Sequence, residues 1–186
     1  MPRIAEIEGT PNPNAMKFIL KEPLTWGIPR SYESAEQAKG DPLAAALFAV
    51  DHVTNVFYVE HWITVTQDGG ADWQELKRLL AEPIRAAPAA DVESAALAEA
   101  ATESIARLAP EDRQRLERIN ALLDQEIRPY LQSDGGDLYV LGLEGDRLNV
   151  HYQGACGSCP SSLSGTLISI QKLVESIEPN VEVVAV

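Results

Sequence analysis

The chain has 186 residues, of which 45% are hydrophobic and 23% charged, the composition of a soluble globular protein. Its 28 acidic and 15 basic residues give a net charge of -13, which argues against binding to nucleic acid or to an anionic membrane surface. No uncharged apolar run approaches the roughly 18 residues that would indicate a membrane span. The first residues have neither the apolar core of a signal peptide nor the Arg-rich, acid-poor pattern of a transit peptide, so we predict a cytoplasmic location.

The first part of the chain combines strand and helix patterns. β-branched and aromatic residues predict short strands at residues 4–7, 16–20, 56–59 and 62–66, with a turn at Thr10-Pro-Asn-Pro-Asn14. Helices are predicted at residues 43–50 and 72–84, the second with Asp72 as N-cap. Its apolar face is expected to carry Trp73, Leu76, Leu79 and Leu80. We predict a small α+β domain over residues 1–86.

A linker is predicted at residues 87–106. The chain from Ala86 to Ser104 is rich in Ala and in acidic residues, with Pro88 near its start. Ala favours helix, but this stretch offers little apolar surface for packing. We therefore expect it to join two domains.

The remaining residues, 107–186, predict a second α+β domain. Apolar residues at helical spacing predict one helix that Pro129 ends and a later one that ends near Pro179. Between them, Glu144-Gly145-Asp146 separates two strand patterns at residues 138–143 and 148–152, which is typical of a hairpin. A last strand is expected at residues 181–186. The predicted order is α-β-β-α-β.

The candidate site residues are Cys156 and Cys159, the only two cysteines of the chain. A Cys-X-X-Cys turn brings two thiols to one metal centre, and iron-sulfur, zinc and thioredoxin-like redox sites all use this spacing. Pro160 suits the first position of the following helix, so the positive end of that helix is expected to face the sulfurs. This arrangement favours an anionic [4Fe-4S] cluster held by thiolates.

Two cysteines cannot fill the four sites of a cubane cluster. A symmetric dimer that meets at this loop would supply Cys156 and Cys159 twice. We expect a cluster held between two chains to be released more readily than one caged by four cysteines of a single chain. A homodimeric carrier is therefore favoured over an electron-transfer protein.

The motif Gly154-Ala-Cys-Gly-Ser-Cys-Pro160, with Ser133-Asp-Gly-Gly-Asp137 upstream and Thr166-Leu167 downstream, resembles the C-terminal domain of NifU and Nfu-type proteins. Thr10-Pro-Asn-Pro-Asn-Ala-Met-Lys-Phe18 resembles the N-terminal domain of many Nfu proteins. The resemblance implies an iron-sulfur cluster scaffold or carrier, not an enzyme, with Cys156 and Cys159 as the iron ligands. Its implied partners are upstream assembly proteins and apo iron-sulfur clients. NifU has further cysteine-bearing domains that this chain lacks, so cluster transfer is favoured over cluster building.

Several alternatives remain open. The cysteine pair suits a thiol-disulfide oxidoreductase, a zinc-bridged interaction module or simple packing. His151 is a further candidate ligand, but we favour a structural role for it on a strand. Asp134 and Asp137 fit either a carboxylate pair for acid-base or hard-cation chemistry or plain turn formation, which we favour. The turn at Thr10 to Asn14 fits either a contact with a partner protein or a plain turn.

Overall fold

A computed structural model of the chain describes residues 2–25, 29–88, 110–154 and 160–185, with the side chains of residues 160–164 excepted. Most of the predicted linker, and both Cys156 and Cys159, lie outside the described residues. The chain divides into two compact units, Met1–Ala100 and Ala101–Val186, and the division falls inside the predicted linker. Each unit combines helices with a sheet, so the predicted α+β class is confirmed.

The N-terminal unit is built on a five-stranded antiparallel sheet. Its strands, in the order β1-β2-β5-β4-β3, are β1 (Ile4–Gly9), β2 (Ala15–Leu20), β5 (Trp62–Gln67), β4 (Val53–Val59) and β3 (Arg30–Tyr32). A 3-10 turn at Gln37–Gly40 leads into helix α1 (Pro42–Phe48), and helix α2 (Trp73–Ala86) follows the sheet. The sequence predicted all of these elements except β3 and the 3-10 turn.

Both helices of this unit begin at an aspartate. Asp41 accepts a hydrogen bond from the Ala44 backbone N–H at 2.9 Å, and Asp72 accepts one from Gln74 at 2.7 Å, as N-caps do. Leu76, Leu80 and Ile84 of α2 are buried. Leu79 was predicted on the same face but is 52% exposed, since it lies beyond the edge of the buried stripe.

The core of the N-terminal unit lies between one face of the sheet and the two helices. Phe18, Val56, Ile63 and Val65 pack there against residues of α1 and α2. Ala87, the first residue of the predicted linker, is also part of this core. The packed structure of the unit therefore continues past the predicted domain end at residue 86.

The C-terminal unit has three helices and a three-stranded sheet. The elements are α3 (Pro110–Glu126), α4 (Arg128–Ser133), β6 (Gly136–Glu144), β7 (Arg147–Gly154), α5 (Pro160–Glu175) and β8 (Glu182–Ala185). In the sheet, β7 lies between β6, its antiparallel hairpin partner, and β8, which runs parallel to it. The predicted hairpin, the helix starting at Pro160 and the last strand are thereby confirmed.

One helix of the C-terminal unit was not predicted. Pro129 was expected to end the first helix, and α3 does end at Glu126. A second helix, α4, then begins at Arg128 with Pro129 in its first turn, where a missing N–H costs no hydrogen bond. The observed order is α-α-β-β-α-β. Helices α3 and α5 bury Leu116, Ile119, Leu123, Ile170 and Val174 against the sheet.

Within the described residues, no helix is long and apolar enough to cross a membrane.

Candidate functional site

The two candidate ligands lie in a short connection between a strand and a helix. Strand β7 ends at Gly154 and helix α5 begins at Pro160, so residues 155–159 join them. We call these five residues the cysteine segment. They lie outside the described residues, and the structure describes only the residues on either side of them. Gly154 has φ 72°, a left-handed conformation that glycine adopts without strain.

The Ser133-Asp-Gly-Gly-Asp137 motif lies at the same end of the sheet. Ser133 ends helix α4, and Gly135, at φ 79°, turns the chain into β6. Gly136 then pairs with Gly154 in the antiparallel ladder. The Ser133–Asp137 motif therefore lies opposite Gly154, the residue with which the cysteine motif begins.

Helix α5 begins directly after the cysteine segment. It spans 16 residues from Pro160, which is the first helical position, as predicted. The unpaired N–H groups and the positive dipole end of a helix lie in its first turn. Because Cys159 immediately precedes that turn, this end of α5 favours negative charge next to the cysteine segment.

Asp137 is not the turn residue that the sequence favoured. It is the second residue of β6, lies opposite Gln153 of β7, and is only 6% exposed. Its Oδ1 accepts a hydrogen bond from the Leu138 backbone N–H at 2.7 Å, and Gln132 Nε2 donates to its Oδ2 at 3.4 Å. Burial raises the pKa of the Asp137 carboxyl, and the Leu138 hydrogen bond opposes this only in part.

Among the described residues, the cation beside Asp137 is held by another carboxylate. The Arg128 guanidinium lies 3.9 Å from Asp137 Oδ1, but its Nε lies 2.7 Å from Asp124 Oδ1. The sequence did not predict Arg128, Gln132 or Gln153 as neighbours of the site. Their only sequence signal was proximity to the two glycine-containing motifs, which does not reveal pairing across strands.

The remaining candidates are His151, Asp134 and Asp137, all within the described part of the chain. Among the described residues, no group of three or more His, Cys, Asp or Glu side chains is placed to hold a metal ion. His151 lies opposite Tyr139 in the hairpin and is partly buried. Asp134 caps the end of α4, apart from the buried Asp137 in β6. The hard-cation interpretation of the two aspartates therefore lacks a third ligand within the described residues.

The turn between β1 and β2 is held by its own chain. Thr10 Oγ1 donates to the Asn12 carbonyl at 2.9 Å, and the Asn14 backbone N–H donates to Asn12 Oδ1 at 3.0 Å. From helix α2, Trp73 Nε1 donates to the Pro13 carbonyl at 2.9 Å. These contacts give the turn a structural role in the N-terminal unit.

Comparison with known proteins matches both units. A family profile described as the scaffold protein Nfu/NifU N terminal matches residues 4–90, and one described as a NifU-like domain matches residues 119–184. A human protein named NFU1 iron-sulfur cluster scaffold homolog, mitochondrial, is 34% identical over 182 residues, which cover 95% of this chain and 69% of that protein. The chain belongs to the Nfu family.

Other relatives extend this comparison. The Drosophila ananassae protein with the same name is 33% identical over 178 residues, or 95% of this chain. This chain spans 62% of the length of that relative. Among solved structures, the NifU-like protein from Saccharomyces cerevisiae is 21% identical with a TM-score of 0.39, covering 45% of this chain and 76% of that one.

Proposed function

We propose that this Nfu protein binds a [4Fe-4S] cluster between the Cys156/Cys159 pairs of two identical chains and passes it to apo-proteins. The cluster is cargo, so binding and release are the function and no substrate is turned over. The observation that carries the proposal is the position of the cysteine segment, between Gly154 and the first turn of α5. Family membership supports an iron-sulfur role for the two thiols.

The chemistry of the donor set supports a shared cluster. Each chain has two thiols, and a cubane held by protein cysteines takes four. In a two-fold symmetric dimer, the same surface serves twice and supplies all four. The N-terminal dipole of each α5 then stabilises the negative charge of the thiolate-bound cluster.

The expected partners follow from a carrier role. An upstream assembly protein must donate the cluster, and apo iron-sulfur proteins must accept it. We propose a cytoplasmic site for this exchange. Several relatives are named as mitochondrial, so localisation of a tagged full-length chain is the direct test.

The test of the central proposal is anaerobic reconstitution of the full chain with iron and sulfide. We expect a charge-transfer absorbance band, about four iron and four sulfide per two chains, and loss of the band as an apo-acceptor gains it. Zinc binding with no iron uptake would contradict the proposal. So would reversible disulfide chemistry between Cys156 and Cys159 without cluster binding.

We also propose that residues 87–106 tether two separate domains, 1–86 and 107–186. Because Ala87 is part of the N-terminal core, the chain should be divided after Pro88 to test this. Each piece is expected to fold alone, and only the C-terminal piece, which contains both cysteines, is expected to take up iron. Failure of either piece to fold, measured by circular dichroism, would contradict the two-domain proposal.

A further inference from the structure

Strand β8 lies at one edge of the three-stranded sheet in the C-terminal unit. It pairs with β7 on one side and with no other described strand on the other. The Glu182 backbone N–H lies on the β7 side, where it donates to the Asp146 carbonyl at 2.7 Å. Because the backbone groups of successive residues in a strand point to opposite sides, those of Val181 and Val183 point away from β7. We call the backbone groups of Val181 and Val183 the outer edge of β8.

The side chain of Gln171, on helix α5, covers this outer edge. Its Nε2 donates to the Val181 carbonyl at 2.9 Å, and its Oε1 accepts from the Val183 backbone N–H at 2.7 Å. A carboxamide has the same donor and acceptor types as a peptide group. Gln171 therefore binds the two groups that the ladder of an added strand would need.

Glu175 fixes the orientation of this carboxamide. It lies one turn further along α5, and its Oε1 accepts a second hydrogen bond from Gln171 Nε2 at 2.8 Å. A carboxylate only accepts hydrogen bonds, so it binds the NH₂ end of the carboxamide and not its oxygen. The oxygen is thereby directed to the Val183 N–H. The three contacts hold Gln171 in the one orientation that matches the outer edge.

The surroundings of the outer edge favour the addition of another strand. A groove of about 630 Å³ lies between α5 and β8, and its lining includes Gln171, Val183 and Ile168. Ile168 is 57% exposed. A strand edge beside apolar surface is a template for pairing with another chain. At the opposite edge of the sheet, the β6 ladder is irregular between Val140 and Gly142, and such irregularity hinders strand addition.

We propose that Gln171 prevents a second copy of this chain from pairing along β8. Two identical edges pair around a two-fold axis as antiparallel strands, which would join two sheets into one. Such pairing requires the Val181 carbonyl and the Val183 N–H, and Gln171 already binds both. The apo-protein therefore does not associate through this sheet.

The consequence for the carrier rests on the proposed function. Two chains joined along β8 would stay together without a cluster, and cluster release would then no longer separate them. When the outer edge is covered, association depends on the shared cluster. Gln171 therefore keeps dimerisation dependent on cargo.

The test uses Gln171→Ala in the full-length apo-protein under reducing conditions, so that intermolecular disulfides do not form. Alanine removes the carboxamide, adds no larger apolar side chain and is favourable in a helix. Equilibrium sedimentation over a concentration series measures association. We expect wild type to stay monomeric and the variant to dimerise, with a dissociation constant lower than that of wild type by about tenfold or more.

Hydrogen exchange at the Val183 amide identifies the surface that associates. In wild type, Gln171 is expected to protect this N–H at every concentration. In Gln171→Ala it should exchange about tenfold faster in dilute solution and regain protection as the dimer forms, because a partner strand then accepts it. A Gln171 that only stabilised the fold would leave a monomeric variant with Val183 unprotected at all concentrations. That result would overturn the proposal.

Two further variants separate cover of the edge from stability of the fold. Gln171→Glu loses the donor to Val181 but keeps an acceptor for Val183 and adds a negative charge that repels a second copy, so it should stay monomeric. Gln171→Met keeps the length of the side chain without its carboxamide and should dimerise. It carries the test if circular dichroism shows that the Ala variant does not fold. A folded, monomeric Met variant, or a Glu variant that dimerises as Ala does, would overturn the proposal.

These measurements need no iron, so they separate the inference from the proposed function. If wild type takes up no cluster but the Gln171 variants associate as expected, the carrier role alone is contradicted. If wild type dimerises with a cluster but apo Gln171→Ala and Gln171→Met both stay monomeric, the role of Gln171 alone is contradicted.

Discussion

Gly154 lies directly opposite Gly136 and has φ 72°, so the strand that leads to the cysteines ends in a conformation that other residues adopt only with strain. Gly154→Ala is therefore expected to lower the free energy of unfolding of the C-terminal unit by about 1–2 kcal/mol. Iron retention should fall as well, because the cysteine segment directly follows this residue. Urea unfolding followed by circular dichroism measures the change in the free energy of unfolding.

Gly142→Ala is the matched control for that experiment. Gly142 lies in the same strand pair, but a Cβ there would meet nothing within 4 Å. Its φ is not in the left-handed region. We expect it to leave both stability and iron content near wild type. If both alanine variants lost stability and iron equally, the left-handed backbone conformation of Gly154 would not be the cause of the loss.

Cys156→Ser and Cys159→Ser are each expected to abolish stable cluster binding without unfolding the protein. Each change removes two of the four ligands of a dimer. Folding should survive, since both units have apolar cores that are independent of metal. Iron analysis and circular dichroism of the purified variants provide the check. Ala155→Ser is the control, because it adds a hydroxyl to the same segment but keeps both thiols. A wild-type iron content in either Cys variant would disprove the ligand assignment.

The stability of the N-terminal unit is expected to fall at acid pH because of Asp41. This carboxylate is 3% exposed and accepts hydrogen bonds from Ala44 N–H, Arg30, Tyr32 and Tyr58. Burial raises its pKa, but these donors outweigh burial and the net shift is downward. Its contribution is therefore complete above the ordinary pKa of Asp, near 4, and is lost as pH falls through the lower folded value.

Tryptophan fluorescence measures this effect, since all three tryptophans lie in the first 73 residues. Asp41→Asn should lower the free energy of unfolding by about 2 kcal/mol or more at pH 7 and flatten its acid dependence. Asp68→Asn is the control, because Asp68 also has a lowered pKa but is exposed. An unchanged acid profile in Asp41→Asn would contradict the role of this carboxylate.

The sequence predicted the elements whose signals are local. Asp72 capping α2, Pro160 starting α5 and the turn at Gly145 are set by neighbouring residues, and all were found where expected. Strand β3 was missed because its three residues are defined by pairing with β4, which is distant in sequence. Helix α4 was missed because Pro129 is compatible with both the end of one helix and the start of the next.

The sequence predicted the motifs of the site but not the contacts that their residues make across strands. Cys156 and Cys159 were found by their spacing, and their ligand role stays a prediction. Asp137 was assigned to a turn because Asp-Gly-Gly-Asp is typical of one, whereas it lies buried in β6. Its pairing with Gln153 depends on the register of the hairpin, which a four-residue motif does not determine.

Cluster binding and self-association are expected to be linked, because one chain has two thiols and the cluster takes four. Equilibrium sedimentation of apo and reconstituted full-length chain under anaerobic conditions tests it most directly. We predict a largely monomeric apo-protein, and a dimer with about four iron and four sulfide once loaded, which returns to monomer when an apo-acceptor takes the cluster. A monomer that retains its cluster would contradict the shared site.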